Sequence, residues 1–293
     1  MRRVLAVLAL SAAALTGCSG PAATRSLAAR QADLTASYYL SLGDSLSQGV
    51  QPDPAGVSVR TPDGYADQLY AILRRHHPGL RLVKLGCPGE TTGTMIHGGI
   101  CSYAGRSQLA AAIAFLRAHP GRVPLITIDI GANDPDSCAT LPTVGNLASC
   151  AARSVPETAV NLAKILAELR EAAPGARMIA MNYYLPALAQ WRDGILGHAL
   201  ARLSELAAVG YNFVLTKVYQ AFGVRIADVF GAFRTADFAG QVTQPGLGAL
   251  PSNVAAICRW TWECTASPRG PNEHANRAGY AVIAHAFLLA DGG

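Results

Sequence analysis

Residues 38–50 read YYLSLGDSLSQGV. Tyr38, Tyr39, Leu40 and Leu42 are β-favouring or apolar, and Gly43-Asp44-Ser45 stops the run abruptly. A small polar residue at the mouth of a buried strand serves either a turn or a reaction. Taken alone, Ser45 fits a turn or a helix N-cap as readily as a nucleophile. The rest of the chain decides.

Four further apolar runs have strand character: Leu80–Leu85, Val123–Ile130, Arg177–Met181 and Val224–Val229. Segments of helical spacing separate them. Tyr65, Leu69, Ile72 and Leu73 recur on one helical face, and Pro156 and Glu157 suit the first turn of a helix that stops at Pro174-Gly175. A long helical pattern covers roughly 195–222, and a last one places Tyr280, Ile283, Ala284 and Phe287 together. Strands alternating with helices predict an α/β fold, a five-stranded, mostly parallel sheet covered on both faces. Ligands in such sheets bind outside the carboxyl ends of the strands. Residues 239–270, rich in Gly, Pro, Ser and Thr, read as a long irregular loop.

The chain has 293 residues, 51% of them hydrophobic and only 15% charged, enough for a large core and too few charges for a disordered or nucleic-acid-binding arm. Its formal charge is +5, and +3 without Arg2 and Arg3; no block of like charge points to a polyanionic or nucleic-acid partner.

Arg2-Arg3 and the apolar residues 4–16 have the pattern of a secretory signal, too short to span a bilayer. Leu15-Thr16-Gly17-Cys18 resembles a bacterial lipobox. The expectation is a signal peptide over 1–17, a diacylated Cys18, a flexible tether over 18–36 and one domain over 37–293. Such a chain is exported and lipid-anchored to the outer face of the cytoplasmic membrane. An ordinary signal peptide with an incidental Cys18 gives simple secretion instead. Six cysteines then remain, an even number that suggests disulfides in an exported chain. Short loops lose least entropy on closing, which favours Cys87–Cys101, Cys138–Cys150 and Cys258–Cys264. A zinc site is the alternative, but the chain has no C-x-x-C pair, and no metal is expected.

Four blocks follow the predicted strands or open the last helix: GDSL (43–46), LGCPGETTGT (85–94), DIGAND (129–134) and PNEHANRAGY (271–280). In this order and spacing the chain resembles an SGNH/GDSL hydrolase, a superfamily of serine esterases and lipases. The resemblance implies a flavodoxin-like three-layer α/β/α fold and carboxylic ester hydrolysis without a cofactor. Ser45 matches the family's nucleophile and His274 its general base. The oxyanion hole would be the N–H groups of Ser45 and Gly89 with the amide of Asn133. The chemistry agrees: a serine hydroxyl needs an adjacent imidazole, and the tetrahedral oxyanion needs preorganised donors. Each residue alone has a plainer explanation, Gly89 as the third residue of a type II turn after Pro88, Asn133 as an Asx-turn residue, His274 as a helix cap.

One position departs from the family. The Asp often found three residues before the His is Pro271 here. The expectation is a Ser–His dyad in which the Pro271 carbonyl orients His274. An acyltransferase would use the same residues, and a non-catalytic ligand-binding lipoprotein would need none of them. The substrate partner is an ester, of a lipid or a small acyl group. Asp129 reads as hydrogen-bonded inside the fold, and His76-His77 as a helix end. Trp260 and Trp262 suit either a substrate pocket or plain packing.

Overall fold

The computed structural model describes residues 37–135 and 144–292, the side chains of 144–152 excepted. Everything expected of residues 1–36, and the Cys138–Cys150 bridge, lies outside them.

The central sheet contains β1 (Ser37–Gly43), β4 (Leu80–Lys84), β5 (Leu125–Asp129), β6 (Arg177–Met181) and β7 (Arg225–Ala227), all parallel, in the order β4-β1-β5-β6-β7. The first strand thus lies between the second and third, and the order reverses there, which opens a crevice at the carboxyl ends of β1 and β5. Two short antiparallel ribbons lie apart from the sheet: β2 (Gln51–Pro52) with β3 (Ser58–Val59), and β8 (Gln241–Gln244) with β9 (Gly248–Pro251). The strands form where the apolar runs predict. Their ends are trimmed, because Val229 already begins a short helix and Ile130 lies beyond the last ladder pair.

Helix α1 (Tyr65–Leu73) and the last helix, α8 (Arg277–Asp291), cover one face. They meet through Tyr65 and Phe287, both fully buried, whose rings stack at 4.6 Å. The other face carries α3 (Gln108–Ala118), α4 (Val144–Ala172) and α5 (Gly194–Ala221), with α2 (Thr92–His97) packed on α4. The three-layer α/β/α architecture is the one the resemblance implies.

Two expectations need correction. Pro156 is not in a first turn: α4 begins at Val144 and runs through it. Proline removes one N–H from the helix ladder but leaves the others, and here the apolar face beyond it (Leu162, Ile165, Leu166 and Leu169, all fully buried) holds the helix in place. Nor is 239–270 irregular throughout, although 261–270 remains so apart from the bridge of Thr261. It contains the β8–β9 hairpin, α6 having ended at Ala232 after Val229, and then α7 (Ser252–Trp260). Gly246 lies in the turn of that hairpin and Gly248 opens β9, with φ of 78° and 77°, and α7 is buried from Ser252 to Ile257.

The end of β1 is the tightest place in the sheet. Gly43 lies opposite Asp129 in the ladder with φ of 137°, and a Cβ there would sit 2.0 Å from the Asp129 carbonyl oxygen. No side chain fits. Gly43→Ala is therefore expected to lower the melting temperature by several degrees or to prevent folding, read by circular dichroism; a variant as stable as the parent would show that this approach is not required.

Candidate active site

From Tyr38 to Pro52 every residue is buried except Ser45, which is partly exposed. The turn that lifts it out is fixed from below. Asp44 N–H donates to the Asp129 carbonyl at 2.9 Å, and Ser47 N–H to Asp129 Oδ2 at 3.0 Å. Within the turn, Gln48 N–H and Val50 N–H both reach back to the Ser45 carbonyl at 3.2 and 3.1 Å. The N–H of Ser45 itself makes no hydrogen bond among the described residues, and its hydroxyl has only a long contact, 3.4 Å, to Asp44 Oδ1.

Asp129 is fully buried and accepts the Tyr65 hydroxyl at 2.5 Å. Burial, and after it the neighbouring charge of Asp44, pushes its carboxyl well above the usual range. It is a clamp on the Ser45 turn, hydrogen-bonded inside the fold as its place in an apolar strand suggests.

Gly89 sits in a β-turn spanning Cys87 to Glu90, closed by Glu90 N–H to the Cys87 carbonyl at 3.1 Å. Pro88 presets the second position, and Gly89 supplies the φ of 80° that the third position of a type II turn demands. The turn therefore explains the glycine, and Gly89 is exposed, its N–H without a partner among the described residues. The turn is bolted at its first residue by Cys87–Cys101, with Cα atoms 6.0 Å apart. Cys87 N–H donates to the Gly43 carbonyl at 3.0 Å, which ties this turn to the end of β1.

Asn133 follows β5. One hydrogen of its amide is held by the Glu90 carbonyl at 2.8 Å, and the other stays available. The next residue, Asp134, accepts from Thr92 N–H at 2.9 Å and from the Thr158 hydroxyl at 3.0 Å, and so ties this segment to α2 and α4. Ser45, Gly89 and Asn133 are thus joined through short chains of hydrogen bonds at the crevice between β1 and β5.

His274 enters from the other side. Its carbonyl accepts the Trp262 N–H at 3.1 Å, and Thr261 and Ala275 form a β-bridge. Cys258–Cys264 encloses that partner segment, with Cα atoms 4.8 Å apart. The loop is joined to the chain following Ser45: Trp262 Nε1–H donates to Gln51 Oε1 at 3.3 Å, Asn272 Nδ2–H to Ser58 Oγ at 3.2 Å and the Tyr280 hydroxyl to the Val50 carbonyl at 2.8 Å. Trp262 also carries Arg269 over its ring at 5.4 Å, whereas Trp260 packs edge-on to Phe233 at 5.2 Å. Trp260 is a packing residue.

The expectation for Pro271 does not hold. Asn272 takes the orienting role: its Oδ1 accepts the His274 backbone N–H at 3.1 Å and lies 2.8 Å from His274 Nδ1. Because the backbone N–H can only donate, the atom facing it is the amide oxygen, so Nδ1 carries the proton. That leaves the Nε2 lone pair free to act as a base. The curl of an Asx turn brings Asn272 back over its own chain, and the side chain reaches the ring. Sequence reading assigned Asn272 no role; its signal was an Asn two residues before a His.

His274 is 8% exposed. Burial pulls its pKa below the usual 6.5, and the Glu273 carboxylate, with Oε1 3.7 Å from Nδ1, opposes the shift. Glu90 is a second residue that sequence reading did not single out. Its buried carboxyl accepts from Gln108 Nε2 at 2.9 Å, and burial pushes it above the usual 4.5. A separate apolar groove of about 790 Å³, between β7 and α8 and lined by Ile226, Val282 and Leu289, contains none of the four block residues.

Neutral His274 is the active form of a base, so kcat/KM is expected to fall as pH drops through its pKa, with the midpoint below 6.5. Glu273→Gln removes the opposing charge and is expected to move that midpoint to still lower pH. A midpoint at or above 6.5, or an upward move, would contradict the burial argument.

Comparison with known proteins agrees with this geometry. The GDSL-like Lipase/Acylhydrolase family model matches residues 41–282. No curated protein matches the chain. Among solved structures, an extracellular lipase from Streptomyces rimosus is 19% identical, with a TM-score of 0.56, over 88% of this chain and 100% of its own. A phospholipase A1 from Streptomyces albidoflavus NA297 is 18% identical, TM-score 0.54, over 88% and 99%. An acetylxylan esterase from Geobacillus stearothermophilus is 17% identical, TM-score 0.54, over 88% and 94%. At these identities the structures show a shared fold, while the family match spans most of the chain: the protein belongs to the GDSL-like lipase/acylhydrolase family and is a carboxylic ester hydrolase.

Proposed function

We propose that the protein is an exported serine esterase working through an acyl-enzyme on Ser45. The observation that carries this reading is the exposure of Ser45 alone in a buried stretch, beside unoccupied N–H donors, with a buried imidazole whose tautomer is fixed by Asn272.

The Ser45 hydroxyl passes its proton to His274 Nε2 as Oγ bonds to the ester carbonyl carbon. The oxyanion so formed is held by the N–H groups of Ser45 and Gly89 and by Asn133 Nδ2–H. His274 returns the proton to the departing alkoxide as the ester C–O bond breaks. Water then repeats the sequence on the acyl-enzyme, releasing the acid and restoring Ser45. Asn272 Oδ1 stabilises the imidazolium in both halves through its hydrogen bond to Nδ1, as a neutral counterpart to the usual carboxylate. The reading is a Ser–His–Asn constellation in place of the dyad.

The substrate class is an acyl ester, of lipid or of a small group. Residues 1–17 as a signal peptide, Cys18 as a lipid anchor and 18–36 as a tether complete the reading. Two disulfides in the described residues suit an oxidising, extracytoplasmic setting, and no helix there is long and apolar enough to cross a membrane.

The test is hydrolysis of p-nitrophenyl esters from acetate to palmitate. Ser45→Ala is expected to abolish turnover, with kcat down by at least ~1000-fold. Asn133→Ala is expected to lower kcat about 100- to 1000-fold, the loss of one oxyanion donor. Asn272→Ala should lower kcat with KM little changed. Activity surviving in Ser45→Ala would overturn the assignment. Ester turnover that rises with added alcohol, giving a new ester, would identify an acyltransferase on the same residues.

A further inference from the structure

Helix α5 has two environments along its length. Its C-terminal part lies against the sheet: Asn212 is bonded to both N–H and C=O of Tyr183, at 2.8 and 3.1 Å, and Leu215 and Tyr219 are fully buried. Tyr211 donates to the Gly131 carbonyl at 2.5 Å, in the segment that carries Asn133. Tyr183 already lies past the end of β6, whereas Tyr219, seven residues beyond Asn212, donates to the Met181 carbonyl at 3.3 Å within it, so α5 runs antiparallel to that strand. The helix before Tyr211, roughly 25 Å at 1.5 Å per residue, therefore projects beyond the carboxyl edge of the sheet, the edge that holds the site.

This projecting part rests on the 3₁₀ helix Pro186–Asp193 with one side only. The solvent side is apolar. Ile195 is 90% exposed, Leu196 72%, Leu203 65%, Leu206 67% and Phe213 60%. Between Ile195 and Phe213 the chain carries two charged residues, the exposed Arg202 and the half-buried Glu205, and the Arg202 guanidinium lies over the rings of Trp191 and Phe238 at 5.3 and 4.6 Å. Lys217 lies over Phe213 at 5.1 Å. Cations held over apolar rings beside an exposed apolar face suit an interfacial helix.

We infer that the exposed face of α5 docks on a lipid surface and presents the site to ester substrates within it. The inference builds on the esterase reading above and names where its lipid substrate is met. Two observations favour lipid over a second copy of the chain. With Leu200 and Val209, each 43% exposed, the exposed apolar positions spread over about half of the helix circumference, wider than the two-position seam that a helix pair buries, and no rows of opposite charge flank them. The chain ahead of Ser37 also reaches far enough. From Cys18 to Ser37 it can extend up to ~65 Å, against a radius of gyration near ~18 Å for a domain of this length. An anchor at Cys18 therefore permits the carboxyl edge to face the membrane.

The test uses the exported full-length protein carrying Leu206→Cys, labelled with an environment-sensitive nitrobenzoxadiazole dye, and vesicles of phosphatidylglycerol and phosphatidylcholine. The control is Arg75→Cys with the same dye; Arg75 follows α1 at the opposite edge of the sheet and is exposed. The expected result is a several-fold rise and blue shift for the Leu206 label on vesicle binding, with no change for the Arg75 label. The double variant Leu203→Glu/Leu206→Glu is expected to lose at least ~10-fold in hydrolysis of a vesicle-embedded ester while p-nitrophenyl acetate turnover stays within about 2-fold. Equal responses at both labels, or unchanged vesicle-ester hydrolysis, would overturn the docking face. So would a Leu206 response to protein concentration without vesicles, which would mark a second copy. Failure of the esterase reading is separable: the Leu206 label would still respond, and the unvaried chain would hydrolyse neither ester.

Discussion

The peptide unit of Gly43 is the point from which the catalytic edge is built. Its N–H donates to Gln108 Oε1 at 2.6 Å, and its carbonyl accepts from Gln108 Nε2 at 2.8 Å and from Cys87 N–H at 3.0 Å. A strand that ends in the interior must satisfy its last polar groups or lose about 1–3 kcal/mol for each one left bare. Gln108, fully buried at the start of α3, does this with both ends of one amide, and its Nε2 also donates to Glu90 Oε2. One side chain therefore couples the turn of Ser45 to the turn of Gly89. Asn133 joins them through the Glu90 carbonyl, so the three donors of the proposed oxyanion hole share a single buried scaffold.

That scaffold contains acids, and their ionisation bears on the chemistry. Glu90 and Asp129 lie next to residues that would hold a developing negative charge. A carboxylate there would repel the oxyanion through a poorly screened interior. Burial raises both pKa values and favours their neutral forms. The same burial acts in the opposite sense on His274, lowering its pKa and keeping it an acceptor. Desolvation thus favours the neutral form of acid and base alike, and a neutral His274 is what the proposed first step needs.

Much of this was legible in the sequence because strands between parallel neighbours are short, apolar and bounded. All five central strands follow from such runs, and the positions after them follow from the rule that binding residues gather at carboxyl ends. What escaped depended on side chains returning to their own backbone. Asn272 and Pro271 are adjacent, and only the curl of the loop decides which one meets Nδ1. Gln108 lies sixty-five residues from Gly43, and nothing local marks their pairing. The 239–270 segment misled for another reason. Its Gly, Pro, Ser and Thr are hairpin-turn and cap residues around elements too short to show a period.

Helix α5 shows the limit of periodicity most clearly. A helix apolar on nearly every side reads as one enclosed by protein. Asn212, Leu215 and Tyr219 do satisfy that reading, on a part buried against β6. Ile195, Leu196 and Leu203 do not, since the same helix continues past the sheet and, among the described residues, its outer face stays exposed. Exposing so many large apolar side chains to water is costly and uncommon, and a lipid phase over them in use, as inferred above, removes that cost. A lipid ester, met at the edge where the proposed site opens, would supply such a phase. The cost in water and the function at the interface are then two consequences of one sequence feature.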